Sequence, residues 1–441
     1  MDKDLKPTSP PGGLKIKNCH SFGPNNRTIL CLDMDSYFAT VEQQENPYLR
    51  AKPVGVIKAV GRTCVIAASK EAKKYGVKTG MPLSDVRRLC PKIILVPTDM
   101  EKYFYVTKRF ADICRRYTPL VEMFSIDELF MDVTSSEHLF GGAVIVALEI
   151  KQQIKKEIGD WLSCSVGISY NKFLAKLASK KNKPDGLFVI TPENKDDILL
   201  STELVEVCGI GRRLEKRLSS MGVRNFSQLR QLPDSTVQAQ LGSHWPAVLR
   251  RMAYGDLEDI NSVSYNKKDS VITPDQISAQ KSVSRTYTLF ADTYNLRVIN
   301  QYIRNLSEET AWKLRRMKLV GRLIGLSIRG ADQGAWNHKT FKIPTADGLL
   351  IAKVCEQLFK SLNWPNPVRF VGIYVSLLSP NSQTSLLPKD QKRHEILKTM
   401  DYVNDKFGQF TLYPAQLVDG EQVKPEVNGF LGDKGFRILH Q

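Results

Sequence analysis

No stretch of this sequence stays apolar for the roughly 20 residues that a membrane-spanning helix needs, and the first residues lack the apolar core of a signal peptide. A soluble, intracellular protein is expected. Cysteine is sparse and scattered: Cys19, Cys31, Cys64, Cys90, Cys114, Cys164, Cys208 and Cys355 stand singly, with no Cys-x-x-Cys pair. That spacing indicates neither a zinc site nor a disulfide framework and leaves reduced thiols as the reading. Acidic residues are also in deficit. Lys and Arg number 63 against 46 Asp and Glu, a net charge of +17, which favours a polyanionic partner such as nucleic acid or an anionic membrane surface.

At 441 residues the chain has material for two to four domains. Residues 1–26, rich in Pro, Gly, Lys and Asn and without periodicity, read as a flexible leader. "RTILCLDMDSYFATVEQQ" then runs from an apolar strand, Ile29 to Leu32, into a helix starting near Asp35 or Ser36. "KPVGVIKAV" and "TCVIAAS" read as strands before the short helix "KEAKKYG", and "EKYFYVTKRFADICRRYT" carries apolar residues at helical spacing. "EMFSIDELFMDVT", Glu122 to Thr134, reads as a buried strand, with the helix "VIVALEIKQQIKKEIG" and the strand "SCSVGIS" after it. Strands separated by helices that return to one sheet predict an α+β core.

Short helices follow from about Thr191 to Asn261. Among them "VCGIGRRLEKRLSSMGV" places two short helices around Gly209-Ile210-Gly211, with Gly222 ending the second. One reading is a helix-hairpin-helix, whose glycines let backbone N–H groups approach a phosphate while Arg212, Arg213, Lys216 and Arg217 add charge; the other is an ordinary helical turn. A polar linker, residues 263–280, leads to a second α+β unit from Lys281 to Leu378. That unit holds 15 Lys and Arg against 6 Asp and Glu, more than half of the chain's basic surplus. Such asymmetry favours a grip on nucleic acid, with Lys281, Arg285, Arg315 and Arg316 as candidate contacts. Its strand-like segments are "RTYTLF", "RLIGLSIRG" and "VRFVGIYVSLL", alternating with two helices; residues 379–441 form a tail with one more helix, "HEILKTMDYVNDKFG".

Acids in an apolar strand need a reason. Asp33 follows "ILCL" and Asp127-Glu128 lie in the run described above, so all three can meet on a sheet edge. Buried carboxylates that close repel one another and are costly unless cations neutralise them. Oxygen-only ligands suit Mg²⁺ rather than zinc. Two such ions about 4 Å apart, bridged by one carboxylate, activate an attacking hydroxyl and stabilise a departing pyrophosphate, which makes a nucleoside triphosphate the expected substrate. A structural reading stands beside this: Asp35 capping its helix, Asp127 or Glu128 accepting hydrogen bonds from a turn, and Phe38 as core at helical spacing.

"DMDSYFATVE" (Asp33 to Glu42), "SKEAKKYGVKTGM", "FSIDELFMDV", "SVGISYNKFLAKLASKKNKPDG" and Gly209 to Gly211 occur in the order found in Y-family translesion DNA polymerases. The resemblance covers about Arg27 to Leu378, and five ordered blocks make it specific. It implies an α+β right-hand polymerase: palm (27–36 and 100–190), small fingers (37–99), helix-hairpin-helix thumb (191–262) and C-terminal little finger (281–378).

The resemblance also implies roles. Asp33 bridges both Mg²⁺ ions, for which Mn²⁺ may substitute; Met34 offers its carbonyl, and Asp127 and Glu128 complete the set, Glu128 as the catalytic carboxylate near the primer 3′-OH. Asp35 is structural. Phe38 is similar to the family's steric gate, which excludes ribose by clashing with its 2′-hydroxyl. Lys172 resembles the family lysine that meets the dNTP triphosphate, with backbone N–H groups of Tyr37 and Phe38. One block departs from the pattern: Tyr-Glu-Ala-Arg is replaced by Lys70-Glu71-Ala72-Lys73, which keeps a cation at Lys73 without the bidentate fork.

The tail's "QTSLLP" resembles the peptide by which bacterial relatives dock on the sliding clamp, through Gln383, Leu386 and Leu387. The segment "ILKTMDYVNDKFGQFTLYPAQ" is similar to the tail of the bacterial polymerase V catalytic subunit and "GIGRRLEKRLSSMGV" leans the same way, whereas "KSVSRTYTLF" is closer to polymerase IV. The expected activity is error-prone synthesis on primer-template DNA past damaged bases, by a cytoplasmic, nucleoid-associated monomer without a membrane partner, with an accessory damage-response subunit as a further candidate partner. Small side chains such as Ala67 and Ala68 near the nucleotide leave an open site, and no second acidic cluster resembling a proofreading exonuclease is evident. The alternatives are a non-catalytic recruitment module, which would have lost the metal acids, and a nucleotide cyclase, which has no use for the basic C-terminal unit.

Overall fold

The apolar run that opens the described chain becomes the central strand of a five-stranded sheet. The computed structural model describes residues 27–58, 63–258, 281–380, 388–408 and 411–417. Strand β1 (Ile29–Met34) lies between β6 (Glu128–Asp132) and β7 (Cys164–Ser169), antiparallel to both, with β5 (Val121–Met123) and β8 (Leu187–Val189) at the edges. Its side chains alternate between two cores. Leu30, Leu32 and Met34 pack with α4 (Met100–Arg115) and α5 (Ala143–Glu157), while Ile29 and Cys31 pack with α6 (Lys172–Lys181). The same alternation puts Asp33 on the α6 face, and its register partner across the sheet is Glu128. Gly167 lets α6 lie directly on β7, because a Cβ there would collide with the Ala175 carbonyl oxygen.

Residues 122–134, expected as one strand, fold instead as a β5–β6 hairpin. The N–H groups of Phe124 and Ser125 donate to the Glu128 carbonyl at 3.0 and 2.9 Å. Glu128 opens β6, whereas Asp127 lies in the turn, where its N–H donates to Ser125 Oγ at 3.3 Å. The polar Ser-x-Asp triplet supplies the local hydrogen bonds that break the strand.

A three-stranded sheet of order β3-β2-β4, from β2 (Val54–Ile57), β3 (Val65–Ala68) and β4 (Ile94–Pro97), carries α2 (Lys70–Lys74) and α3 (Leu83–Leu89). Ser69 caps α2 by accepting from the Ala72 N–H at 3.2 Å, a bond worth about 1 kcal/mol. Helix α1 (Tyr37–Glu45) runs between the two sheets and packs into the core below β1.

Five helices follow: α7 (Lys195–Leu200), α8 (Arg212–Ser220), α9 (Phe226–Gln231), α10 (Asp234–Leu241) and α11 (Trp245–Tyr254). In the glycine hairpin only α8 is a full helix. The element before the turn is a single 3₁₀ turn, Leu204–Glu206, and the left-handed φ values of Gly209 (102°) and Gly222 (82°) mark the two bends.

The C-terminal unit is a four-stranded antiparallel sheet of order β11-β10-β12-β9. Its strands are β9 (Ser282–Thr293), β10 (Leu319–Arg329), β11 (Gly334–Thr345) and β12 (Val368–Pro380), and its core lies between one sheet face and helices α12 (Leu296–Arg316) and α13 (Gly348–Ser361). β11 has no counterpart among the strands read from sequence. It is an edge strand, largely exposed, so "GAWNHKTFKIPT" carries little apolar alternation. Helix α14 (Pro388–Phe407) is fastened to this unit by the ion pairs Arg393–Asp347 (2.8 Å) and Arg315–Asp401 (2.7 Å). Among the described residues no helix is long and apolar enough to cross a membrane, and the cysteines are free thiols.

Candidate active site

Asp33 and Glu128 stand opposite each other on adjacent strands, and the Met34 N–H donates to the Asp127 carbonyl at 2.9 Å, drawing the turn residue to the same corner. Asp33 senses Asp127, and Glu128 senses Asp33. Burial pushes Asp33 up from the usual carboxylate range, Lys183 pulls it back and Asp127 adds to the rise; burial likewise raises Glu128, against Lys176 and reinforced by Asp33. Each acid is turned to a partner of its own: Glu128 to Lys176, Asp33 to Lys183, Asp127 to the Ser125 hydroxyl. Among the described residues, accordingly, no three His, Cys, Asp or Glu side chains already close around one point. The donor chemistry still fits a hard divalent cation: carboxylate oxygens in a buried corner where like charges need neutralising.

Asp35, two residues on, faces the other way. It accepts from Ser163 Oγ (2.8 Å), Ser165 Oγ (2.9 Å) and the Asp185 N–H (2.7 Å), and neither caps α1 nor joins the acid corner. Ser36 follows at φ 50°, ψ 39°, in the left-handed region, at a cost of roughly 1–2 kcal/mol. The bend turns β1 into α1 and leaves the helix N-terminus, with Tyr37 and Phe38 in its first turn, without a side-chain cap. Such an N-terminus suits an anion.

Cations gather beside it. Lys73 donates to Ser36 Oγ at 2.8 Å and Lys70 to Ser163 Oγ at 2.9 Å. Burial and then the neighbouring Lys183 lower the Lys73 pKa, which places Lys73 and Lys183 within reach of each other. Lys172, expected among these cations, is not there. It is buried and paired with Glu122 of β5 at 2.6 Å, because the first turn of α6 points back toward the hairpin. Lys183, in "NKPDG", and Lys176, one turn after Lys172, are the lysines that reach the acids; no spacing rule singles them out in a segment with five lysines between 172 and 183.

Phe38 is buried and stacks on Tyr103, with centroids 4.2 Å apart and planes at 11°. Tyr37 turns into the core, where its hydroxyl donates to the Tyr103 carbonyl at 2.7 Å.

The whole chain has known relatives. The impB/mucB/samB family matches residues 32–180, and the family's C-terminal domain matches residues 280–387. The DNA polymerase IV of Desulfatibacillum aliphaticivorans is 31% identical over 398 residues, covering 88% of this chain and 96% of that protein. Among solved structures, a Y-family DNA polymerase chimera, Dbh-Dpo4(243-245)-Dbh, superposes with a TM-score of 0.68 at 27% identity, covering 80% of this chain and all of that one. An insertion ternary complex of Dbh DNA polymerase gives 0.52 at 26% identity, covering 79% and 98%.

The chain belongs to the impB/mucB/samB family of Y-family, DinB-like DNA polymerases. It is a DNA-directed DNA polymerase, and relatives in this family generally use divalent metal ions. In the polymerase, the residues expected at DNA fall into two groups. Gly209, Gly211 and Arg212 are exposed at the hairpin before α8, and Lys281 and Arg316 are exposed on the C-terminal unit, Arg316 with its guanidinium 5.0 Å over the Trp312 ring. Arg285 and Arg315 are not free for DNA. Arg285 pairs with Ile373 in register and so points to the helix-covered face, where it is buried against Glu309; Arg315 is held by Glu308 (3.0 Å) and Asp401. The opposite face of the polymerase's sheet carries Ser284, Thr286 and Thr288 beside Tyr374, Gly372 and Phe370, with Trp336 near its edge. Gln383, Leu386 and Leu387 lie outside the described residues.

Proposed function

We propose that this polymerase carries out error-prone translesion synthesis, joining a dNTP to a primer 3′-OH with release of pyrophosphate. The register pair Asp33↔Glu128, two residues before the Asp35-Ser36 turn that presents Phe38, carries this reading. Asp33, Asp127, Glu128 and the Met34 carbonyl hold two Mg²⁺ ions, with Mn²⁺ as substitute. When bound, the ions activate the 3′-OH and neutralise charge on the leaving pyrophosphate. Lys183, Lys73 and Lys70, with the N-terminal N–H groups of α1, orient the triphosphate. Phe38 excludes the 2′-hydroxyl.

The glycine hairpin and Arg212 grip one strand's phosphates, and the face of the C-terminal sheet opposite α12 and α13 lies on the duplex, with the exposed Lys281 and Arg316 as further phosphate contacts. The palm, fingers, thumb and little finger take the bounds given above. Gln383, Leu386 and Leu387 dock the monomeric enzyme on the sliding clamp.

Primer extension opposite an abasic site tests the reading. Wild type extends the primer, Asp127→Ala and Glu128→Ala each lose at least about a hundredfold in rate, and both retain primer-template binding. Extension by either variant at the wild-type rate contradicts it.

A further inference from the structure

Lys176 has no part in the proposal above, yet it makes the most intimate contact with the catalytic acid. Its ammonium pairs with Glu128 Oε1, and both side chains are buried. The Cys31 thiol donates to the same oxygen at 3.4 Å, and the Phe124 ring centroid lies 4.9 Å from Lys176 Nζ. With no metal in place, the ammonium is the positive charge that the structure sets against this buried carboxylate. An ammonium and a divalent ion cannot occupy one carboxylate oxygen together. The face of Phe124 gives the displaced ammonium a second resting place.

We propose that Lys176 is an internal counter-ion, which occupies the Glu128 carboxylate and holds it in position until a divalent ion takes its place. The proposal rests on reading Glu128 as a metal-binding carboxylate. Its consequence is that metal binding must work against the lysine, and that removing the lysine strengthens it.

The test is Mn²⁺ binding to the full chain without nucleotide, followed by the EPR signal of free Mn²⁺ at pH 8. Lys176→Met is expected to bind Mn²⁺ roughly fivefold or more tightly than wild type, and Lys176→Arg about as wild type. In a Glu128→Gln background, adding Lys176→Met is expected to change nothing, which confines the effect to the pair. The melting temperature of Lys176→Met is expected to fall in EDTA and to rise on adding Mn²⁺ by more than that of wild type. Should Lys176→Met not fold, Lys176→Gln carries the same expectation. Unchanged or weaker Mn²⁺ binding by a folded variant overturns the counter-ion role. Full Mn²⁺ affinity in Glu128→Gln alone overturns instead the metal reading of Glu128.

Discussion

Phe38 lies flat on Tyr103, and Tyr103 is pinned from below by its hydroxyl, which donates to Glu42 Oε1 at 2.6 Å. The gate proposed at Phe38 would discriminate by clash and so must not yield, and the stacked, anchored ring behind it provides stiffness. Phe38→Ala is expected to lower the dNTP/rNTP ratio of kcat/KM at least tenfold, about 1.4 kcal/mol of discrimination. Tyr103→Leu keeps the gate ring but removes its backing, and its ratio is expected to fall between the two. An unchanged ratio in Phe38→Ala removes the gate assignment.

Asp33 and Asp35 share a strand end but not a role. Asp35 satisfies three donors, so Asp35→Ala leaves buried groups unpaired, at about 1–3 kcal/mol each. Its melting temperature is expected to drop by several degrees. Asp33→Asn is expected to melt within a few degrees of wild type and to lose primer extension. Calorimetry alongside extension assays checks both, and equal melting losses would merge the two roles.

Among the lysines, Lys183→Ala is expected to raise the KM for dNTP more than Lys172→Ala, because only Lys183 reaches Asp33 and Lys73. Lys172→Ala removes the ion pair with Glu122 and acts on stability instead. A larger KM effect at Lys172 would restore it to the triphosphate.

What the sequence made legible follows the strength of its periodicity. "ILCLD" alternates cleanly between two cores, so the strand and the position of Asp33 at its end could be read off directly. The hairpin at 124–127 was hidden because apolar residues stand on both sides of the four-residue turn, Val121 and Met123 before it and Leu129, Phe130 and Met131 after it, and read on as one strand. β11 was hidden for the opposite reason, an exposed edge with too few apolar residues to show a period. Arg285 illustrates a limit of charge counting: the surplus of the unit says nothing about which side of β9 an arginine faces, and an odd-even step decides between DNA and Glu309.

That step is testable through salt. Arg316→Ala is expected to weaken primer-template binding and to shallow the slope of log affinity against log salt by about 0.9, as for one lost phosphate contact. Arg285→Ala is expected to leave the slope unchanged and to destabilise the fold, by about 3–5 kcal/mol for a broken buried pair. Fluorescence anisotropy across a salt series separates them, and a reduced slope in Arg285→Ala would contradict the buried assignment.

The most direct measurement is anomalous scattering from Mn²⁺ in crystals of the chain with primer-template and a non-hydrolysable dNTP. Two peaks are expected, both in contact with Asp33 and one also with Glu128, and Lys176 is expected to have left the carboxylate. Absence of any peak at Asp33, with Glu128 still paired to Lys176 beside a bound nucleotide, would contradict the account.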